Sequence, residues 1–131
     1  MASRPVLFSA APGDPFVSQL VRLLRMEGRE VLVSRRVEST LRMARMRRPA
    51  AIVLDTVLPD GDGLSLCRRL KDDSDTRDIP VFCFSVVMSR DRCVEAGADA
   101  FMLKPLEQGL LLDSVRDILD SRVTPLPSRP R

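Results

Sequence analysis

The stretch AAIVLD at residues 50–55 decides the fold of this chain. It follows Pro49, and its apolar residues are consecutive in a run too short for a helix, which is typical of a strand buried on both faces. Such strands lie in the centre of parallel sheets that helices cover on both sides. The run ends at Asp55, and the carboxyl ends of central parallel strands are where α/β proteins place their chemistry.

Short apolar runs and amphipathic stretches alternate on both sides of this strand. Asp14 and Pro15 have the pattern of a helix start, and Gly28 and Gly97 have that of helix ends. Residues 58–63, LPDGDG, are predicted to form a loop. Further strands are predicted over residues 5–10, 30–33, 79–84 and 100–103, and helices over 15–28, 38–48, 64–71, 89–96 and 109–121.

This alternation with short connections predicts an α/β domain with a doubly wound, five-stranded parallel sheet of the flavodoxin-like type. The length of 131 residues accommodates one domain and not two. We expect the domain to occupy residues 1–122. Residues 123–131, which contain three prolines, are expected to be a flexible tail or a linker stub.

The composition excludes several classes of function. The chain has no histidine, so serine or cysteine triads that need an imidazole base are excluded. Its three cysteines have no metal-ligand spacing and are odd in number, which favours buried thiols over a disulfide framework or a zinc site. No apolar run reaches the length of a membrane span and no secretory signal is present, so we expect a cytoplasmic protein.

A basic region surrounds the second predicted helix, and the net charge of the chain is +3. Such a region could contact nucleic acid or acidic lipid, or it could be the solvated face of a helix. The absence of Trp and Tyr removes the usual stacking platforms for bases, so we favour the solvated face and expect no nucleic-acid or membrane partner. The residues concerned are Arg35, Arg36, Arg42, Arg45, Arg47 and Arg48.

Three segments in order resemble one known family. Residues 52–63 (IVLDTVLPDGDG), 79–85 (IPVFCFS) and 97–105 (GADAFMLKP) are similar to the third, fourth and fifth strands, with their loops, of response regulator receiver domains from two-component signalling. The likeness extends over residues 5–121. It implies a sheet with the strand order 2-1-3-4-5.

The resemblance also implies roles for five residues. Asp55 corresponds to the phosphoacceptor, Ser85 to the hydroxyl that hydrogen-bonds the phosphoryl group, and Lys104 to the ammonium that neutralises it. Phe101 corresponds to the aromatic residue that moves with Ser85, and Pro105 to the residue that sets the lysine loop. The chemistry is consistent, because a carboxylate can form an acyl phosphate whose charge a cation and a hydroxyl stabilise.

The chain departs from the family after the first strand. Receivers usually carry an acidic pair there to hold Mg²⁺, whereas this chain has Ser9, Ala10 and Ala11. Mg²⁺ usually needs one or two carboxylates, and here only Asp55 and the Val57 carbonyl remain. We therefore expect no cofactor, or at most weak Mg²⁺ binding at Asp55. The Asp14 carboxylate is better explained as a helix cap than as a replacement ligand.

Two further departures concern the switch that phosphorylation drives in the family. The segment from Ser85 to Lys104 is about one helical turn shorter than expected, and Val86 replaces a small residue. We therefore expect a degenerate receiver, not an enzyme, that binds protein partners such as a histidine kinase or a downstream effector as a monomer or weak dimer.

Other interpretations remain open. The chain could be a conventional phosphorylated single-domain response regulator. It could also be a phosphotransfer enzyme that uses Asp55, although this would need a general acid that the sequence does not supply near Asp55. Asp55 and Lys104 could instead form an ion pair with a purely structural role.

Overall fold

The computed structural model describes residues 4–85 and 90–103. The last predicted helix, at 109–121, the tail at 123–131 and the boundary at residue 122 lie outside these ranges. The described elements, in chain order, are β1 Val6–Ser9, α1 Pro15–Met26, β2 Val31–Ser34, α2 Val37–Arg47, β3 Ala51–Asp55, β4 Val57–Leu58, β5 Gly61–Asp62, α3 Gly63–Asp72, β6 Val81–Ser85, α4 Arg90–Ala96 and β7 Ala100–Leu103.

The main sheet contains five strands in the order β2-β1-β3-β6-β7, and every neighbouring pair is parallel. With the small strands β4 and β5 set aside, this is the predicted order 2-1-3-4-5. Strands β4 and β5 form an antiparallel hairpin in which Leu58 pairs with Gly61. The loop prediction for 58–63 was wrong at this point, because two-residue strands are too short to leave a periodic apolar pattern.

Strand β3 is buried on both faces, as its sequence predicted. Ala51 and Val53 belong to the core layer that α1 covers, whereas Ile52 and Leu54 belong to the layer that α2, α3 and α4 cover. Alternate residues of a strand point to opposite faces, so one continuous apolar run supplies both layers. The sheet is thereby fixed between helices, and its strand ends become the edges on which a site can be built.

Two helix boundaries explain why the loops have their observed shape. The Asp14 carboxylate caps α1 and accepts hydrogen bonds from the backbone N–H groups of Phe16 at 2.9 Å and Val17 at 3.4 Å. Gly28 and Gly97 follow α1 and α4 with φ of 85° and 93°, a left-handed conformation that glycine adopts without steric cost. The predicted cap and both predicted stops are confirmed.

Candidate functional site

Asp55 and Ser85 lie at the carboxyl ends of neighbouring strands. The Asp55 Cα is paired with Phe84 across the β3–β6 ladder, and the Thr56 N–H donates to the Phe84 carbonyl at 3.1 Å. Asp55 is 6% exposed and Ser85 is 1% exposed. Both predicted residues therefore share one edge of the sheet, which we call the carboxyl edge.

The strand that leads to Lys104 and Pro105, two of the five residues to which the resemblance gives roles, pairs with the strand that ends at Ser85. Ser85 is paired with Leu103 at the end of β7. Lys104 and Pro105 follow Leu103 and lie outside the described residues.

The loop after β3 is held against Asp55 by the backbone. The Val57 N–H donates to Oδ1 of Asp55 at 3.0 Å, and the Gly63 N–H donates to the Thr56 carbonyl at 2.9 Å. A Cβ atom at Gly63 would lie 2.0 Å from the Asp55 carbonyl oxygen, so only glycine allows this approach. Val57 itself is 66% exposed. The loop thus fixes one side of Asp55.

The end of β1 offers no carboxylate to this edge. Ser9 is fully buried, and its hydroxyl hydrogen-bonds that of Thr40 in α2 at 2.8 Å. Thr40 in turn donates to Ser34 Oγ at 2.9 Å. Because Ser9 is paired with Leu54, Ala10 lies one position further along, beside Asp55, and it is buried. The neighbour of Asp55 across the β1–β3 ladder is therefore a methyl group.

Comparisons with known proteins identify the family. Residues 14–116 match the family model for the response regulator receiver domain. The chain belongs to this family. This result confirms the resemblance on which the strand order was predicted.

Three relatives show the extent of the similarity. The chain is 40% identical over 83 residues to response regulator PleD of Caulobacter vibrioides, a match that covers 61% of this chain and 18% of PleD. It is 33% identical over 110 residues to the DNA-binding dual master transcriptional regulator RpaA of Synechocystis, covering 81% of this chain and 46% of RpaA. It is 30% identical over 100 residues to the polar-differentiation response regulator DivK of Brucella anthropi, covering 74% of this chain and 81% of DivK. The chain therefore spans less than half the length of PleD and of RpaA.

Solved structures of receiver domains have the same fold. A response regulator from Chloroflexus aurantiacus superimposes with a TM-score of 0.79 at 28% identity, covering 90% of this chain and 99% of that one. The receiver domain of sensor histidine kinase PA1611 from Pseudomonas aeruginosa has a TM-score of 0.75 at 23% identity, covering 91% of this chain and 99% of that one. A magnesium ion is coordinated in the active site cleft of the PA1611 domain.

The described residues of this receiver do not fit a magnesium site of that kind. Mg²⁺ prefers oxygen ligands and usually binds one or two carboxylates. At this edge the Ser9 hydroxyl is hydrogen-bonded to the Thr40 hydroxyl, and the Ala10 side chain has no atom that could bind a metal ion. The Asp14 carboxylate caps α1. Across residues 4–85 and 90–103, no group of three acidic or cysteine side chains has an arrangement that could hold a metal ion. The carboxylate of Asp55 would be the main protein ligand.

Phe101, the predicted switch aromatic, lies in β7 and is half-buried. It is paired with Cys83 in β6 and packs against the core layer under α2, α3 and α4. The residue beside Ser85 in the ladder is Leu103, two positions further along. A coupled movement of Phe101 and Ser85 remains a prediction.

The arginines at the end of α2 have intramolecular partners. Arg45 forms an ion pair with Asp73 at 2.9 Å, and Arg47 forms one with Glu30 at 2.5 Å. The Arg48 guanidinium donates to the Asp75 carbonyl at 3.1 Å. These contacts favour the solvated helix face over a surface for nucleic acid. In the part of the chain that the structure describes, no helix combines the length and apolarity needed to cross a bilayer.

The sequence did not show that the three cysteines converge. Cys67 in α3, Cys83 in β6 and Cys93 in α4 are all fully buried, and the Cys67 thiol lies 3.6 Å from the Ala96 carbonyl. Hydrogen bonds with the Cys67 and Cys93 thiols, together with burial, raise the pKa of Cys83 well above its ordinary value. The Cys83 thiol therefore stays protonated, and all three cysteines are buried in the core, as predicted. No spacing rule signals this meeting, because the residues come from three separate elements.

Proposed function

We propose that this chain is a degenerate receiver module that acts by binding another protein, with Asp55 as the vestige of a phosphoacceptor. The observation that carries the proposal is the buried methyl group of Ala10 beside Asp55, where the family usually places an acid. The neighbouring Ser9 hydroxyl does not replace that acid, because it is buried and bonded to Thr40. The carboxylate thus retains its place in the fold without the usual metal ligands.

The physical reason concerns charge. Transfer of a phosphoryl group to a carboxylate brings two anionic groups together, and a bound metal ion stabilises the charge that develops. Loss of that stabilisation costs several kcal/mol, which corresponds to orders of magnitude in rate. We therefore expect phosphorylation of Asp55 to be slow or absent.

The preserved architecture supports a role in binding. Asp55 and Ser85 are held at adjacent strand ends, and the hairpin of β4 and β5 is fixed by Gly63. A rigid surface of this kind presents the same shape whether or not a phosphoryl group is present. The expected partners are a histidine kinase or a downstream effector, and the expected state is a monomer or weak dimer without catalytic activity of its own.

Intact-mass spectrometry after incubation with acetyl phosphate and Mg²⁺ tests the proposal. We expect the wild-type chain and Asp55→Asn to remain unmodified. Ala10→Asp, which restores a carboxylate beside Asp55, should increase the yield of a labile phosphoryl adduct. Circular dichroism of each variant establishes that it is folded. The gain in Ala10→Asp should disappear in the double variant Ala10→Asp/Asp55→Asn.

If the chain is a conventional phosphorylated response regulator, the same experiment should show a phosphoryl adduct on the wild-type chain. Asp55 and Ser85 do occupy adjacent strand ends, as phosphorylation of a receiver requires. A labile phosphoryl adduct on the wild-type chain at a yield similar to that of Ala10→Asp, and absent from Asp55→Asn, would establish a conventional receiver and overturn our proposal.

A further inference from the structure

A cavity of about 390 Å³ lies between three loops at the carboxyl edge. Its walls come from the loop after β1 (Pro12), the loop after β2 (Arg35 and Arg36) and the turn of the β4–β5 hairpin (Pro59 and Asp60). In doubly wound sheets, ligands bind in crevices outside the carboxyl ends of the strands, where the strand order reverses. The strand order reverses between β1 and β3, and the loops after these two strands, at Pro12 and at Pro59 and Asp60, both line the cavity.

Arg35 and Arg36 differ from the arginines at the other end of α2. Arg45 and Arg47 are paired with acids. Within residues 4–85 and 90–103, the Arg35 and Arg36 guanidinium groups have no hydrogen-bond acceptor or ion-pair partner. Two cations without a partner in the described part of the chain therefore line one cavity.

Asp60, the acidic residue that lines the same cavity, already accepts hydrogen bonds from the protein. Both carboxylate oxygens of Asp60 accept from the Val37 N–H, at 3.1 and 3.3 Å, so Asp60 caps α2 and links the hairpin to that helix. The Val37 N–H at the start of α2 thus already has an acceptor, and the charged donors left for an anion in the cavity are the two guanidinium groups. Because two cations line the cavity with one acid, the balance of charge is positive.

A second cavity of about 350 Å³ is also lined by Pro12 and Arg35. Its other charged residues are engaged elsewhere, since Arg25 donates to the Val31 carbonyl at 2.8 Å and Asp14 caps α1. Arg35 therefore borders open space on two sides. It has room to reorient toward a ligand without first breaking a described contact.

We propose that the cavity lined by Arg35 and Arg36 binds an organic phosphate monoester without covalent change. The planar guanidinium group matches phosphate oxygens through paired hydrogen bonds, and two such groups can hold one phosphate. The rings of Pro12 and Pro59 supply apolar walls for the organic part of the ligand. The volume of the cavity falls within the range of small-molecule sites. This binding is separate from any chemistry at Asp55.

Titration of the ¹⁵N-labelled chain with phenyl phosphate, at constant ionic strength, tests the inference by amide chemical shifts. We expect saturable shifts in the loops around Pro12, Arg35 and Asp60. The double variant Arg35→Ala/Arg36→Ala should weaken binding by about tenfold or more, because it removes both charge-assisted contacts. Arg42→Ala is the matched control, since Arg42 lies on α2 and lines neither cavity, and it should bind phenyl phosphate as the wild type does.

Three outcomes overturn the inference. They are an absence of saturable shifts, an equal loss of binding in Arg42→Ala, which would indicate general electrostatic attraction, and binding of inorganic phosphate as tight as that of phenyl phosphate, which would remove the role of the proline walls. The result is independent of our proposal for Asp55, because intact mass reports phosphorylation whereas the titration reports reversible binding.

Discussion

Charged side chains lie at both ends of the parallel strands, at the carboxyl edge and at the opposite, amino edge, but their contacts differ. At the amino edge, the Lys71 ammonium donates to Asp99 Oδ2 and to the Ile79 carbonyl, both at 2.7 Å, and to the Arg77 carbonyl at 3.1 Å. Asp99 Oδ2 also accepts from the Val81 N–H at 2.8 Å. An ammonium has three donors, so this cation is fully coordinated by the protein.

At the carboxyl edge, charge is available for other molecules. Arg35 and Arg36 line a cavity there without a partner among residues 4–85 and 90–103. A charge whose hydrogen bonds are complete stabilises the fold, whereas a charge beside open space can bind a ligand. This division agrees with the general placement of ligands at the carboxyl ends of parallel strands.

The largest expected effect follows from disrupting the carboxyl edge at Gly63. Gly63→Ala would place a methyl group 2.0 Å from the Asp55 carbonyl oxygen and 2.7 Å from Thr56 Cα, and backbone atoms cannot move aside as a flexible side chain could. We expect the free energy of unfolding in urea to fall by about 3 kcal/mol or more. Gly13→Ala, where φ is 77° but no atom lies within 4 Å, should cost only about 1 kcal/mol. Equal losses in the two variants would refute the close-approach argument.

The amino edge should respond strongly to Lys71→Met. This change removes the ammonium from Asp99, which keeps only its hydrogen bond from the Val81 N–H, and from two carbonyl groups, and the Lys71 side chain is only 12% exposed. Because the Asp99 side chain is 39% exposed, we expect a loss of about 2–3 kcal/mol in urea unfolding, below that for a fully buried pair. Arg69→Met, in the same helix, breaks an exposed pair with Glu38 and should cost less than about 0.5 kcal/mol. A similar loss in both variants would show that Lys71 is no more than a surface charge.

The smallest expected effect concerns pH and Asp73, at the end of α3. The hydrogen bond from the Asp75 N–H, followed by that from Arg45, holds the pKa of Asp73 below its ordinary value. A depressed pKa in the folded state contributes stability that is complete above the unfolded pKa of about 3.9 and is lost as pH falls through the folded pKa. The difference in Tm between the wild type and Asp73→Asn should therefore be constant from pH 7 to about pH 5 and shrink toward zero near pH 2. A difference that persists at the lowest pH would mean that the carboxylate charge is not its cause.

Much of the fold was predictable because its signals are local. The apolar run of β3, the cap at Asp14 and the glycine stops at Gly28 and Gly97 each act through neighbouring residues, so the sequence displays them directly. The adjacency of Asp55 and Ser85 followed from the order of parallel strands. The hairpin at residues 57–62 was missed because its strands are two residues long.

The contacts of the polar side chains near the site were less predictable. The composition named the arginines but did not distinguish those with acidic partners from those that line a cavity. Arg45 meets Asp73, 28 positions away, and Ser9 meets Thr40, 31 positions away. The three cysteines likewise converge from separate elements. Contacts between distant positions depend on how helices are placed on the sheet, and a single sequence carries no periodic signal for that placement.

The sequence by itself determined the class of the fold, the strand that ends at Asp55 and the absence of acids at Ser9 and Ala10, because hydrophobic periodicity and residue identity are properties of the chain. Only the tertiary structure decided that the Ser9 hydroxyl is hydrogen-bonded to Thr40 and that the Lys71 ammonium has three acceptors. It also decided that Arg35 and Arg36 line a cavity. The physical reason is that the availability of a polar group depends on the hydrogen bonds it already makes, and those bonds form between residues far apart in the chain.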